Sequence, residues 1–231
     1  MSKKDKTAEG KETVEFFKDL DKDALQTEKF VERNAKTLSA IFGALVLAVL
    51  GYFAYQQYII APQNEEAMKS YFAAQKNLAD GKDTLALGGK SAANPGFLGT
   101  YDKYSGTNIG KLAAYNAGLL KFNEGKYQES YDLLDKFSSG NGIMMALKYG
   151  AMADAQSNLN KNDDAMSLLD KAISASDDPY TQYYFTRKAG IMALGLKKKD
   201  IAKKYFSTIG DKYQEYDNGT SDAYVEMVKY Y

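Results

Sequence analysis

The sequence predicts an all-α chain: a single N-terminal transmembrane helix followed by a solenoid of paired helices. Three observations predict it. The run Leu38–Tyr55, LSAIFGALVLAVLGYFAY, contains no charged residue. Small residues recur in register at Gly118, Ala153 and Gly190, at spacings of 35 and then 37 residues. Three Pro among 231 residues, with 45 % hydrophobic residues, describe a folded, helix-rich chain rather than a disordered one.

Composition also excludes function classes. Lys and Arg total 30, Asp and Glu total 30, so the formal charge is zero and there is no basic footprint for nucleic acid. With no Cys there is no disulfide, zinc knuckle, iron–sulfur cluster or thiol nucleophile. With no His, the commonest general base and every Ser-His-Asp or HExxH scheme are absent. A site built from carboxylate oxygens alone stays open on these grounds, but no acid–base constellation stands out. The expectation is a non-enzymatic protein with no cofactor.

Along the chain, the arm Met1–Thr37 carries nine basic and nine acidic side chains, and its first eleven residues are polar enough to be disordered. Val14, Phe16, Phe17 and Leu20 form a small apolar group, read as a transient helix. From Asp23 onward, Ala24, Leu25, Phe30, Val31 and Ala35 approximate helical spacing and lead into the apolar run. Eighteen helical residues, Leu38 to Tyr55, rise about 27 Å, and continuation through Ile60 spans the hydrocarbon core of about 30 Å. Arg33 and Lys36 flank its start, Tyr52, Tyr55 and Tyr58 make an interfacial belt at its end, and Pro62 is expected to stop the helix. A 37-residue arm is longer than a signal-peptide n-region and no A-x-A site follows the run, so the anchor is read as retained. Lys29, Arg33 and Lys36 precede the span where only Lys69 follows within 15 residues. Positive-inside then places 1–37 in the cytoplasm, 38–60 in the membrane and 61–231 across it.

Beyond the anchor, Glu65–Ala79 reads as a helix, and Gly81–Gly110 as an irregular, Gly-rich stretch. In that stretch Asn94-Pro95-Gly96 makes a turn, Phe97-Leu98 a plug, and Thr107 caps the helix that follows. Twelve residues after Gly118, Ala153 and Gly190 come Ser130, Ala165 and Ala202. Four further on stand Leu134, Leu169 and Phe206, and three beyond those Phe137, Ala172 and Ile209. This is the spacing of the tetratricopeptide repeat, in which two antiparallel helices cross so closely that small side chains are needed at the contact. The first copy, Lys111–Met144, turns at Gly125; the second, Ala146–Pro179, turns at Asn160–Asp163 and closes on Asp178-Pro179. The third, from Tyr183 to about Gln214, is weaker, because lysines replace the glycine turn. A last helix, Ser221–Tyr231, is expected to cover it.

The single anchor, the segment Gly96-Phe97-Leu98-Gly99 followed by Tyr104-Ser105-Gly106-Thr107, and the repeat Leu112–Leu134 ending in Lys136-Phe137-Ser138-Ser139 resemble the YfgM-like tetratricopeptide proteins of the Gram-negative inner membrane. The similarity runs from about Thr37 to the C-terminus. It implies a periplasmic domain and association with the SecYEG translocon and its partner PpiD, a membrane-anchored foldase-like protein. It also implies a role beside newly translocated chains, and it carries no catalytic residues. A tetratricopeptide scaffold for another envelope complex, in outer-membrane or cell-wall assembly, would use the same solenoid.

Repeat position selects a partner-binding groove on the first helix of each pair: Tyr115 and Asn123, then Asp154 and Asn158, then Tyr184 and Arg187. Leu119, Phe122 and Ile191 fall on the same faces but are read as core. Within the span, Gly43, Ala44, Ala48 and Gly51 give a small-xxx-small face for contact with another membrane helix. Lys197-Lys198-Lys199 reads as a solvated turn, Asn218-Gly219-Thr220 as an incidental sequon, and Thr84 in Asp83-Thr84-Leu85 as a weak O-glycan acceptor. Asp163-Asp164 and Asp177-Asp178 are read as helix caps.

Overall fold

A computed structural model describes residues 31–91 and 94–230, which divide into two compact units on either side of the boundary between Ile59 and Ile60. Among the described residues there is no β-strand, only one isolated bridge between Ser91 and Asn94. The expectations for Val14–Leu20 and Ala24–Phe30 lie outside the described residues.

In the first unit, α1 (31–55) is long and apolar enough to cross a membrane, and none of its apolar window is buried by protein. Pro62 does not stop it. A π turn at Gln56–Ile60 intervenes, and α2 (Ala61–Ala79) follows with the proline in its first turn. The proline gives no N–H to the helical ladder, and it stands directly after the widened turn, a local backbone adjustment that lets the helix run on past it.

In the second unit, the stretch read as irregular but with a short helical piece at Tyr101 and Tyr104 contains two short helices, α3 (Asp83–Gly88) and α4 (Gly96–Tyr104), the second of which bears both tyrosines. Gly89 and Gly96 both have positive φ, and a Cβ on Gly96 would lie 2.5 Å from the Gly89 nitrogen, so only glycine fits this close approach. The bend drives Phe97 into a cluster with Ala74, Ala86, Ala113 and Leu120. Thr107 caps α5 (Asn108–Asn123): its hydroxyl accepts from the Gly110 N–H at 2.9 Å and donates to the Tyr104 carbonyl at 2.8 Å.

Three hairpins follow: α5 with α6 (Tyr127–Asp135), α7 (Gly142–Asn158) with α8 (Asn162–Ala175), and α9 (Pro179–Gly195) with α10 (Lys199–Lys212). All twelve residues of the recurring pattern are buried. A Cβ on Gly118 would meet Leu134 at 2.8 Å and one on Gly190 would meet Phe206 at 2.9 Å, which is why the crossings require small residues. The carboxylates work as helix starts. Asp163 and Asp164 occupy the first turn of α8, and Asp178 accepts the Thr181 N–H at 2.7 Å ahead of Pro179. Two short helices, α11 (Gln214–Asp217) and α12 (Asp222–Val228), close the chain, with Tyr224 stacked on Phe206 at 5.1 Å. The last helix is thus shorter at its end than the sequence predicts.

The three hairpin turns are alike in geometry although unlike in sequence. Gly125, Asn160 and Lys197 hold the left-handed position, with φ of 75°, 59° and 58°. In each turn the next residue's N–H reaches back to the carbonyl of Lys121, Gln156 or Ala193, the hydrogen-bond pattern of a Schellman cap. Lysine therefore occupies a position that favours glycine. Replacing Lys197 with glycine is expected to stabilise the domain by about 1 kcal/mol, read as a higher thermal midpoint. The lysine run is also more than a solvated turn, since Lys198 forms an ion pair with Asp163 of the preceding hairpin.

Candidate partner-binding groove

Packing of α5 on α7 and of α7 on α9 brings the first helices of the three hairpins into one layer. On α7, Ile143, Leu147, Ala151 and Asp154 share a face at i, i+4, i+8 and i+11. On α9, Tyr180, Tyr184, Lys188 and Ile191 do the same, with Arg187 beside them. The two faces line three depressions that share residues. One of about 430 Å³ is walled by Ile143, Leu147, Thr181 and Phe185. A shallow one of about 170 Å³ lies between Tyr115, Gly150 and Asp154. The largest, about 540 Å³, is bounded by Tyr183, Arg187, Ile191, Tyr216 and Asn218. Tyr184, 50 % exposed, belongs to all three and makes them one groove. Gly150 sets the floor, for a Cβ there would lie 2.2 Å from the Phe185 ring.

Of the residues chosen by repeat position, Tyr115, Asp154, Tyr184 and Arg187 line this groove. Tyr115 is half-buried with its ring 5.1 Å from Phe137, and burial raises its phenol pKa. Asp154 and Lys188 form a 2.7 Å ion pair between α7 and α9. The Arg187 Nε donates to the Ser221 hydroxyl at 3.1 Å, so this side chain also ties the C-terminal segment to α9. Asn123 and Asn158 are exposed near the ends of α5 and α7 and line none of the three depressions. Asn158 donates to the Asp154 carbonyl of its own helix. Gly43, Ala44, Ala48 and Gly51 are exposed on α1, and a Cβ on either glycine would meet nothing within 4 Å. Thr84 is exposed in the first turn of α3, and Asn218 lines the largest depression in a left-handed conformation.

Among the residues read as core, Leu119 packs against the buried cluster and Phe122 against Tyr127, whereas Ile191 is exposed and lines the groove. Sequence reasoning also missed Ile143, Leu147, Tyr180 and Lys188. Their helical spacing was visible, but an apolar residue on such a face is equally consistent with core, and only the packing of α7 on α9 leaves these uncovered.

The groove ends on a buried carboxylate. Asp217, 3 % exposed, accepts from the Tyr183 hydroxyl and from the Ser221 N–H, both at 2.7 Å. Burial alone would raise its pKa, but the hydrogen bonds from Ser221 and Tyr183, with the Arg187 charge, hold it below the ordinary value. Such an arrangement offers shape, apolar surface and tyrosine hydroxyls. Nothing matches the chain among protein-family models, curated proteins or solved structures.

Proposed function

We propose that residues 61–231 form a tetratricopeptide-type solenoid held at the bacterial inner membrane by a single-pass anchor. In this reading the N-terminus is cytoplasmic, the solenoid is periplasmic, and the chain is a non-enzymatic adaptor with chaperone-like character. It serves the Sec export channel as an accessory subunit, with SecYEG and a PpiD-like anchored protein as partners. The observation that carries the binding role is the concentration of exposed Ile143, Leu147, Tyr180, Tyr184 and Ile191 on the facing surfaces of α7 and α9. A monomeric soluble surface rarely gathers apolar side chains in this way unless something binds there. The long apolar helix supports the tether, and tethering raises effective concentration so that a weak groove suffices beside its partner.

Purification of the intact protein in mild detergent tests this reading. Sec components are expected to co-purify, and replacing residues 38–58 with an unrelated span should weaken that association. Tyr115→Ala combined with Arg187→Ala should weaken capture of the periplasmic partner. Recovery of an outer-membrane or peptidoglycan complex without Sec components would replace the translocon role with a scaffold role. Protease added to spheroplasts should remove the C-terminal domain and spare the arm; protection of the domain would overturn the orientation.

A further inference from the structure

The charges that line the two depressions between α7 and α9 are engaged locally. Asp154 is paired with Lys188 at 2.7 Å. In the third depression Asp217 is bonded through both carboxylate oxygens to Tyr183 and Ser221, and Arg187, which makes no close ion pair, donates its Nε to Ser221. Asp178, at the edge of the apolar depression, spends its carboxylate on the N–H and hydroxyl of Thr181, at the positive end of α9. No formal charge lining the two depressions between α7 and α9 is left without a counter-charge or a helix terminus. By contrast, the Tyr180 and Tyr184 rings make aromatic contacts while their hydroxyls have no hydrogen-bond partner among the described residues.

From this pattern we infer that the groove takes an uncharged, extended polypeptide segment bearing aliphatic or aromatic side chains, and discriminates against acidic and basic segments. The inference rests on the groove reading above and adds the chemistry of its occupant. An apolar side chain enters the depression of about 430 Å³ between Leu147 and Phe185, where Asp178 is the one charged lining residue and is bonded to Thr181. The segment's backbone amides meet the free hydroxyls of Tyr180 and Tyr184. Rigid tyrosines supply contact area at little entropic cost and hydrogen-bond without demanding one sequence. A charged segment would lose hydration in the two depressions between α7 and α9 and find each charge there already engaged, so its desolvation goes uncompensated. Charge complementarity therefore selects a neutral segment, as exposed by a chain that has not yet folded, over a charged recognition motif.

The test uses the full-length protein in nanodiscs of zwitterionic lipid. The probe is a capped peptide of Leu, Phe, Ser, Asn and Gly carrying a neutral dye, about 12 residues and so about 40 Å long when extended. Anisotropy is expected to show binding about tenfold tighter than for versions with three polar residues changed to Asp or to Lys. Leu147→Asp and, separately, Tyr184→Ala should each weaken the neutral peptide by about tenfold. Phe72→Ala, at an exposed aromatic outside the groove, should leave it unchanged. Helical circular dichroism and thermal midpoint check that each variant folds; should Leu147→Asp not fold, Tyr184→Ala decides. Tighter binding of either charged peptide, or neutral-peptide affinity unmoved by the groove substitutions, overturns the inference. So does self-association in the nanodisc that Leu147→Asp abolishes, which would make a second copy the occupant. Neutral-peptide binding without Sec co-purification would sink the translocon role alone, and Sec co-purification with a charged-peptide preference would sink only the ligand chemistry.

Discussion

Changing Phe206 to alanine is expected to cost about 3–5 kcal/mol and to lower the thermal midpoint of the full-length protein by about 10 °C. The ring is fully buried, lies against the small crossing residue Gly190, and is stacked on Tyr224 of α12. Its removal therefore empties the α9–α10 crossing and loosens the C-terminal cover in one step. Both partners are held by the backbone at tight contacts, so the cavity cannot collapse freely, and the cost should sit in the upper part of the range for aromatic truncation. Ile201→Ala on the same α10 is the control, because Ile201 is exposed and its loss should cost under about 1 kcal/mol. Circular dichroism melts of both variants check this. Equal melting of the two would mean that α10 does not pack by the face bearing Phe206.

Asp217→Ala should be nearly as damaging, at roughly 3 kcal/mol, through a polar route. Without the carboxylate, the Tyr183 hydroxyl and the buried Ser221 N–H lose their acceptor and Arg187 loses its counter-charge. Its pH dependence is distinctive. The native pKa lies below the ordinary value of 3.8. Protonation is thus harder in the folded state, and the stabilisation is fully present above the unfolded pKa. It is lost as pH falls through the native pKa. Other carboxylates held low, such as Asp178 and Glu124, give both proteins an acid slope, so the difference between them is the measurement. Denaturant melts should show a gap between wild type and variant that is constant near neutrality and narrows once the pH is taken below 3.8. A gap that persists undiminished there would assign the loss to packing rather than to the carboxylate. Hydrogen exchange should also show the amides of α12 released first, since Ser221 is the tie between that helix and α9.

Local rules reached far into this chain because its elements are set by short-range chemistry. The apolar run from Leu38, the cap at Thr107, the start of α9 at Asp178-Pro179, and the small residues at the helix crossings are each fixed by a few neighbouring side chains. The order of those elements, and the face each pair buries, follow from a period written in the sequence. Three things did not follow. The π turn that carries the helix past Pro62 is a backbone accommodation with no residue signature of its own. The left-handed conformation of Lys197 is imposed by the hairpin around it against the residue's own preference, so the third turn looks degenerate in sequence while keeping the geometry of the other two. And the groove was legible only as a face. Whether Ile143, Leu147 and Ile191 are core or surface depends on which neighbouring helix covers them, and what engages Asp154 and Arg187 depends on Lys188 and Ser221, each more than 25 residues away in sequence. The sequence by itself determined the helices, the long apolar run and the small residues at the hairpin crossings, since these rest on contacts within a few turns. Tertiary structure alone decided which apolar side chains stay uncovered and which charges cancel, because burial and charge compensation depend on contacts between segments that the local pattern does not record.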